Sequence, residues 1–144
     1  MEEIDNNQGI TRRGALCALS LVGVGILTSP ASAEAATGVK VLASGKVQVT
    51  LKSNPALSKV GGLIRIDDVK GKSIALVRTS AKVYTAVNLL CTHFGGQLLQ
   101  TGNQWQCQEH GATFTLAGKN LVGPATSPLK QLPVKVTATV VTIG

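Results

Sequence analysis

Apolar and polar residues alternate with a period of two through much of the chain beyond position 45. Four consecutive runs rich in Val, Ile, Leu and Thr show this pattern, at positions 46–53, 62–69, 72–79 and 82–90. A period of two is typical of β-strands, because their side chains point to opposite faces in turn. Turn-forming residues separate the runs at positions 67–68, 70–71 and 80–81. The pattern predicts an all-β fold of short antiparallel strands.

The second half of the chain predicts smaller elements. Two short runs, 96–100 and 104–107, flank Thr101-Gly102-Asn103 and predict a tight hairpin. A further turn is predicted at 118–120, and one or two strands follow from Pro133 to the end of the chain. The PALS segment at 55–58 predicts a helical turn.

The first 33 residues follow a different pattern. Arg12-Arg13 precedes an apolar run at 14–27, which ends in the small residues Ala31-Ser32-Ala33. This order of charge, apolar run and cleavage site predicts an export signal, and Thr11-Arg12-Arg13 resembles a twin-arginine signal. We expect cleavage after Ala33, which leaves one domain of residues 34–144. Two alternatives stay open: a membrane anchor at residues 14–33, which are long enough to span a bilayer, and a cytoplasmic N-terminal helix.

The composition supports one compact domain with a basic surface. Charged residues make up 15% of the 144-residue chain, aromatic residues 3%, and there are 16 glycines. Without residues 1–33, 12 of the 14 Lys and Arg and 4 of the 7 Asp and Glu remain, for a net charge of +8. The lysines are scattered and have no interleaved aromatic residues, so nucleic acid is a poor prediction. The charge favours solubility or attraction to an acidic partner.

Two short motifs contain both histidines of the chain and both cysteines beyond the export signal. They read CTHFGG from Cys91 and CQEHGATF from Cys107, with the histidines at His93 and His110. Paired cysteines in an exported protein commonly form disulfides, but a histidine within three residues of each cysteine indicates metal ligands instead. Two thiolates and two imidazoles suit zinc or an iron–sulfur cluster.

The spacing C-x-H…C-x-x-H-G, with the downstream GPATSPL, resembles the Rieske [2Fe–2S] proteins. The likeness runs from about Val60 to Ile143. It implies an antiparallel β-sandwich with a small cluster-binding subdomain of two ligand loops, and one [2Fe–2S] cluster. By this resemblance Cys91 and Cys107 bind one iron, and His93 and His110 bind the other as neutral imidazoles. The resemblance also implies seven residues that surround the cluster or shape its loops: Gly96, Glu109, Gly111, Ala112, Phe114, Gly123 and Pro124.

Four of these positions depart from the pattern of high-potential Rieske subunits in bc-type complexes. Gly96 and Glu109 stand where those subunits have a disulfide, and Ala112 and Phe114 stand where they have hydroxyl donors to the cluster. Each lost donor lowers the reduction potential, because the reduced cluster is the more negative state. An ionised Glu109 about 8 Å away, at an effective dielectric constant of ~20, is worth about 2 kcal/mol, or at most ~90 mV before screening.

We therefore predict an exported, low-potential one-electron carrier or electron-transfer subunit instead of a stand-alone enzyme. The expected partners are a cytochrome or an oxidoreductase subunit, with a membrane involved only if the N-terminal segment is retained. Three related alternatives are a Rieske subunit of a bc-type quinol oxidoreductase, the small subunit of a molybdenum oxidase resembling arsenite oxidase, and a ring-dioxygenase ferredoxin. The alternative without redox activity is a zinc-stapled binding module.

Overall fold

The structure, a computed structural model, describes residues 34–144. The predicted export signal at residues 1–33 lies outside the described residues. The described strands are β1 Glu34–Ala35, β2 Val39–Val41, β3 Val47–Thr50, β4 Leu63–Val69, β5 Lys72–Ser80, β6 Val83–Asn88, β7 Leu98–Thr101, β8 Gln104–Cys107, β9 Thr113–Thr115, β10 Asn120–Val122, β11 Gln131–Leu132, β12 Val134–Val136 and β13 Val140–Ile143. Two 3-10 turns, Leu51–Ser53 and Pro55–Ser58, interrupt them. The all-β prediction is confirmed, as is the helical turn at 55–58.

The strands form three sheets. The central sheet has the order β1-β4-β5-β6-β11, the second sheet β12-β13-β3-β2, and the third sheet β10-β9-β8-β7. The pairings are antiparallel, as predicted, except that β1 runs parallel to β4, with Glu34 opposite Ile64. The third sheet carries the predicted ligand segments and is the small subdomain that the resemblance implies.

The central sheet is covered on both faces, and strand β5 shows why its sequence is continuously apolar. Ile74 and Leu76 point into a core shared with the second sheet. Ala75 and Val77 point the other way, into a core shared with the third sheet. A strand buried on both faces has no polar face, which explains the uninterrupted apolar run IALV within β5.

The third sheet is built around a hairpin and one large aromatic side chain. Strands β7 and β8 pair with Leu98 opposite Cys107 and Thr101 opposite Gln104, so the predicted hairpin is confirmed. Trp105 on β8 is fully buried, and its Nε1 donates to the Leu116 carbonyl at 3.1 Å. Because a buried indole needs a hydrogen-bond partner, this contact fixes the ring as the centre of the core below the ligand loops.

Strand β3 ends earlier than the sequence pattern predicts. Positions 51–53 were expected to continue the strand, but they form a 3-10 turn. The buried side chain of Asn54 explains the difference, because its Nδ2 donates to the carbonyls of Thr50, at 2.8 Å, and Thr37, at 2.7 Å. Its Oδ1 accepts from the Thr37 N–H at 3.0 Å. The asparagine thereby ends strand β3 and fixes the backbone at Thr37, between β1 and β2.

Arg65 on β4 links the central sheet to the third sheet. Its Nη1 donates to the Leu98 carbonyl at 3.0 Å, and its Nε donates to Asp67 Oδ1 at 2.8 Å. The Ser73 hydroxyl donates to the same carboxylate oxygen at 2.6 Å. The hydrogen bond from Ser73 is the main cause that lowers the pKa of Asp67 below its ordinary value, and Arg65 adds to it. Partial burial acts in the opposite direction. Within residues 34–144 no helix has the length and hydropathy needed to span a bilayer.

Candidate metal centre

The first ligand loop follows strand β6 and is closed by its own backbone. The Cys91 N–H donates to the Gly96 carbonyl at 2.8 Å, and the Cys91 carbonyl accepts from the Gly95 N–H at 2.9 Å. Gly95 has a φ of 79°, a value that a side chain disfavours. A bridge between Leu90 and Gln97 joins the two ends of the loop. The loop is therefore a tight, self-contained turn that starts at the cysteine.

The second ligand loop follows β8 and repeats this design. The Cys107 N–H donates to the Ala112 carbonyl at 2.8 Å, and the Cys107 carbonyl accepts from the Gly111 N–H at 3.0 Å. Gly111 has a φ of 74°. In both loops the glycine four residues after the cysteine adopts the left-handed conformation. Gly95 and Gly111 thus allow the two loops to turn in the same way.

The two cysteines lie together at the base of the loops. Cys91 is 3% exposed and Cys107 2% exposed, and neither is in a disulfide. Burial raises the pKa of the Cys91 thiol above its ordinary value, and the nearby Cys107 thiol adds to this. The N–H groups of His93 and Phe94 act in the opposite direction, because they donate to the Cys91 sulfur. These donors are already aimed at the sulfur that a metal would hold as thiolate.

The two histidines form a second pair nearer the surface. The ring centroids of His93 and His110 are 4.9 Å apart, and the rings are nearly perpendicular at 88°. His93 is half-buried and His110 is exposed. The Nδ1 atom of His93 is shielded from solvent and has no hydrogen-bond partner among the described residues. Buried polar atoms are rarely left unpaired, so this atom faces a position suited to a metal ion.

The four side chains are arranged as two pairs. In the described part of the chain, no group of three or more His, Cys, Asp or Glu side chains is placed to hold a single ion. A [2Fe–2S] cluster with mixed ligands needs two cysteines on one iron and two histidines on the other. The thiol pair, the imidazole pair and the unpaired His93 Nδ1 fit that requirement.

Comparison with known proteins identifies the domain. The model of the Rieske [2Fe-2S] domain family matches residues 57–133, which include both ligand loops. The chain belongs to the Rieske [2Fe–2S] domain family. Its cofactor is accordingly one [2Fe–2S] cluster with two cysteine and two histidine ligands. The family match favours the iron–sulfur prediction over the zinc alternative, and the domain is an electron-transfer domain.

The relatives fall into two functional groups. The cytochrome b6-f complex iron-sulfur subunit of Chlorobaculum tepidum is 31% identical over 93 residues, which cover 63% of this chain and 51% of that protein. The ferredoxin component of the naphthalene 1,2-dioxygenase system of Pseudomonas putida is 33% identical over 72 residues, which cover 47% of this chain and 68% of that protein. The chain thus spans about half the length of the cytochrome b6-f subunits that it matches.

A solved structure with a similar fold is the cyanobacterial plasma membrane Rieske protein PetC3 from Synechocystis PCC 6803. It has a TM-score of 0.50 and 29% identity, and the match covers 60% of this chain and 90% of that one. The Rieske-type β-sandwich is therefore confirmed. The four strands of the second sheet, β2, β3, β12 and β13, lie outside the family match at 57–133 and complete the described fold on the far side of the central sheet.

Gly96 and Glu109 meet across the two ligand loops of this Rieske domain. A Cβ atom added to Gly96 would lie 2.9 Å from Cys107 Sγ and 3.0 Å from the Glu109 Cδ. The Glu109 Oε2 lies 3.1 Å from the same point. The carboxylate therefore occupies the space between the loops, next to a cysteine sulfur. These are the two positions where the resemblance implies a disulfide in high-potential relatives.

Ala112 and Phe114 are fully buried and lie in the core below the cluster loops. Neither residue has a hydroxyl, so neither can donate a hydrogen bond toward a cluster. Thr113 lies between them, and its Oγ1 is shielded and has no partner among the described residues. Sequence comparison with the Rieske pattern did not indicate a role for Thr113, because the hydroxyl positions of that pattern are 112 and 114.

The segment at 123–127, which begins the GPATSPL motif, packs beside the first ligand loop. The Thr92 hydroxyl donates to the Ser127 carbonyl at 2.7 Å, and Asn120 Nδ2 donates to the Ala125 carbonyl at 3.1 Å. Ala125 is buried, whereas Gly123 and Pro124 are exposed. The loop is thus fixed at its buried end and leaves its tip in solvent near the ligand loops.

Sequence reasoning missed the role of Phe94. This side chain is 76% exposed, and its ring centroid lies 4.0 Å from that of His93 and 5.9 Å from that of His110. The ring therefore covers one side of the imidazole pair. The available signal was an apolar residue directly after a ligand histidine, in a loop otherwise made of small and polar residues.

Proposed function

We propose that this protein carries single electrons between two redox partners outside the cytoplasm, through a [2Fe–2S] cluster bound by Cys91, His93, Cys107 and His110. The observation that best supports this proposal is the arrangement of these side chains as a buried thiol pair and a more exposed imidazole pair. The shielded, unpartnered Nδ1 of His93 supports the assignment, since that atom needs a partner inside the site.

Each part of the site has a distinct task. The two thiols provide the anionic ligands at the buried end, where the N–H groups of His93 and Phe94 donate to the Cys91 sulfur. The two imidazoles face outward, and the exposed His110 gives a partner access to the ligand shell. Phe94 shields the imidazole pair from water on one side. The bound cluster would supply reversible one-electron chemistry with little change in geometry.

Metal analysis combined with EPR tests this assignment. We expect two irons and two acid-labile sulfides per chain, and a Rieske-type EPR spectrum after reduction with dithionite. Zinc at one equivalent, without labile sulfide and without an EPR signal, would overturn the assignment in favour of a zinc-stapled module. The variant His93→Ala should lose the spectrum, whereas Thr92→Ser, which retains the hydroxyl bonded to Ser127, should keep it.

We also propose a potential in the lower half of the Rieske range, which runs from roughly −150 to +300 mV. Two features of the site support this proposal. The Glu109 carboxylate lies between the ligand loops beside Cys107, where negative charge opposes the addition of an electron. The buried Ala112 and Phe114 offer no hydroxyl donors. Protein-film voltammetry giving a value above about +200 mV would contradict this proposal.

The proposed location outside the cytoplasm is based on the sequence of residues 1–33. The structure adds that Asn54 holds the backbone of Thr37, so the folded domain extends close to the predicted cleavage site. Replacement of Arg12-Arg13 by two lysines should retain the protein in the cytoplasm. N-terminal sequencing of the exported protein should begin at Glu34, whereas an intact N-terminus in the membrane fraction would establish the anchor instead.

The proposed partner follows from the charge of the chain. Quinol oxidation in a bc-type complex calls for a strong oxidant, and the Gly96–Glu109 contact disfavours that assignment. We propose instead a soluble redox partner with an acidic surface, since the mature chain has a net charge of +8. Stopped-flow oxidation of the reduced protein by a cytochrome should slow as salt is added. If the protein purifies with membrane subunits and that assembly oxidises a quinol efficiently, the bc-type alternative is supported. Electron delivery to a dioxygenase would support the ferredoxin alternative.

A further inference from the structure

A pocket opens at one end of the molecule between the central sheet and the second sheet. Its volume is about 240 Å³, and its lining comes from the start of β3 and β5, the ends of β4 and β13, and the segment around β11. The lining residue Ile74 points to the face of the central sheet that is turned away from the third sheet. The pocket is therefore separate from the metal centre.

The floor of the pocket is aliphatic. Val47, Ile74 and Ile143 are buried residues of the core between the two sheets, and their side chains line the cavity. Leu132 is half-buried and completes this wall. Such a surface releases free energy when an apolar group replaces water, at roughly 25 cal/mol per Å².

The rim of the pocket is cationic. Three exposed lysines, Lys70, Lys72 and Lys130, line it, and no Asp or Glu side chain is among the lining residues that the structure describes. The ion pair found between residues 36 and 144 joins Arg65 to Asp67 and leaves the three lysines out. The Lys70 ammonium lies over Gly45, in the space that a Cβ at this glycine would fill. Three lysines and no Asp or Glu side chain therefore line a largely aliphatic cavity in the described part of the chain.

We propose that this pocket binds a small apolar monoanion, namely an aromatic or short-chain aliphatic carboxylate. The aliphatic floor selects a hydrocarbon body, and the lysine rim selects a negatively charged head. The volume lies below the roughly 300–1,000 Å³ of typical small-molecule pockets, so a compact ligand fits best. This inference does not depend on the function of the cluster, because none of the lining residues is a proposed ligand.

Calorimetry on the cluster-loaded full-length protein tests the proposal with benzoate and butanoate as probes. We expect saturable binding of both, and much weaker binding of benzyl alcohol, which has a similar ring but no charge. The double variant Lys70→Gln/Lys72→Gln should bind benzoate about tenfold more weakly or worse, since it removes two of the three positive charges available to the carboxylate. Leu132→Trp should abolish binding by filling the cavity.

The matched control is Lys59→Gln/Lys119→Gln, which removes the same charge from two exposed lysines outside the pocket. Its affinity for benzoate should equal that of the unmodified protein. Equal binding of benzoate and benzyl alcohol, equal weakening by both lysine pairs, or the absence of saturable binding would each overturn the proposal. Binding of an acidic peptide but of neither carboxylate would overturn it as well, and would assign the lysines to a protein partner. Backbone amide shifts at Val47 and Gly144 should locate the bound probe at this end of the molecule.

Discussion

The two faces of the central sheet are covered in different ways. On one face the second sheet contributes Val and Ile side chains, and the described core there contains no cysteine, histidine or tryptophan. On the other face the third sheet contributes Trp105, Phe114 and the Cys107 thiol, and the first ligand loop contributes the Cys91 thiol. The first core depends on apolar area and tolerates exchange of one aliphatic residue for another of similar volume. The second depends on particular atoms at particular places.

The ligand loops show how few residues such a site requires. Each loop is closed by two backbone hydrogen bonds at its cysteine and by one glycine with positive φ. The family match also centres on this side of the molecule, because residues 57–133 include the third sheet but not strands β2, β3, β12 and β13. Changes on the two faces should therefore affect different measurements.

The largest effect is expected from Cys107→Ala. This variant removes a proposed ligand, so iron, labile sulfide and the EPR signal should be almost completely lost. The far-UV circular dichroism of the β-sheets should remain, because the core beneath the second sheet does not include this residue. Gln108→Ala, a change at the exposed neighbouring position, is the control and should retain the cluster. An unchanged EPR spectrum in Cys107→Ala would show that another residue is the ligand.

Leu76→Ala should weaken the fold and leave the cluster intact. Leu76 is fully buried in the core beneath the second sheet, so its truncation should lower the free energy of unfolding by about 2–5 kcal/mol. The EPR spectrum and the potential of the folded protein should not change. Val83→Ala, at a residue that is 53% exposed, is the control and should cost far less. A shifted potential in Leu76→Ala would mean that the two faces are coupled.

A smaller effect confined to the metal centre is expected from Glu109→Gln. Loss of the carboxylate beside Cys107 should raise the reduction potential by tens of millivolts, and by at most ~90 mV. Voltammetry at low and high salt should show that screening reduces the difference. Asp68→Asn makes the same change of charge on the central sheet and should leave the potential unaltered. A lower potential in Glu109→Gln would contradict the electrostatic account.

The smallest effect concerns the link between the central sheet and the third sheet. The folded state holds the pKa of Asp67 below its unfolded value, so this carboxylate stabilises the fold above about pH 4. That contribution is lost as the pH falls through the folded pKa. Urea titrations should show Asp67→Asn slightly less stable than the unmodified protein at pH 7, with the difference shrinking as the pH falls below about 4. Ser73→Ala removes the main donor and should reduce the same pH dependence; an unaltered dependence would disprove this cause.

The sequence pattern predicted the strands whose pairing is regular and whose residues are β-branched. It did not predict β1 and β2, because Glu34–Ala35 and Val39–Val41 are too short to show a period. It also placed positions 51–53 in a strand. The cause of that error is the side chain of Asn54, which binds the backbone of Thr37, 17 residues away. Contacts of this range leave no local pattern in a sequence.

The metal centre was more accessible to sequence reasoning than the fold around it. The ligand types and glycines are local features, so the loops at Cys91 and Cys107 could be predicted from spacing. The assignment of these residues as ligands remains a prediction for the experiments above. The position of the Glu109 carboxylate and the contact of Phe94 with both imidazoles could not be predicted, because each depends on how two loops approach one another.

The closure of each ligand loop on its own backbone has a consequence for how the protein matures. The hydrogen bonds that shape both loops lie between Cys91 and Ala112, a short segment whose closure costs little chain entropy. The aliphatic core on the opposite face provides a scaffold that does not need iron in order to pack. Insertion of the cofactor can therefore be the last step of assembly, performed on a chain that is already folded. This order of events suits the export proposed above, because the twin-arginine route moves folded proteins.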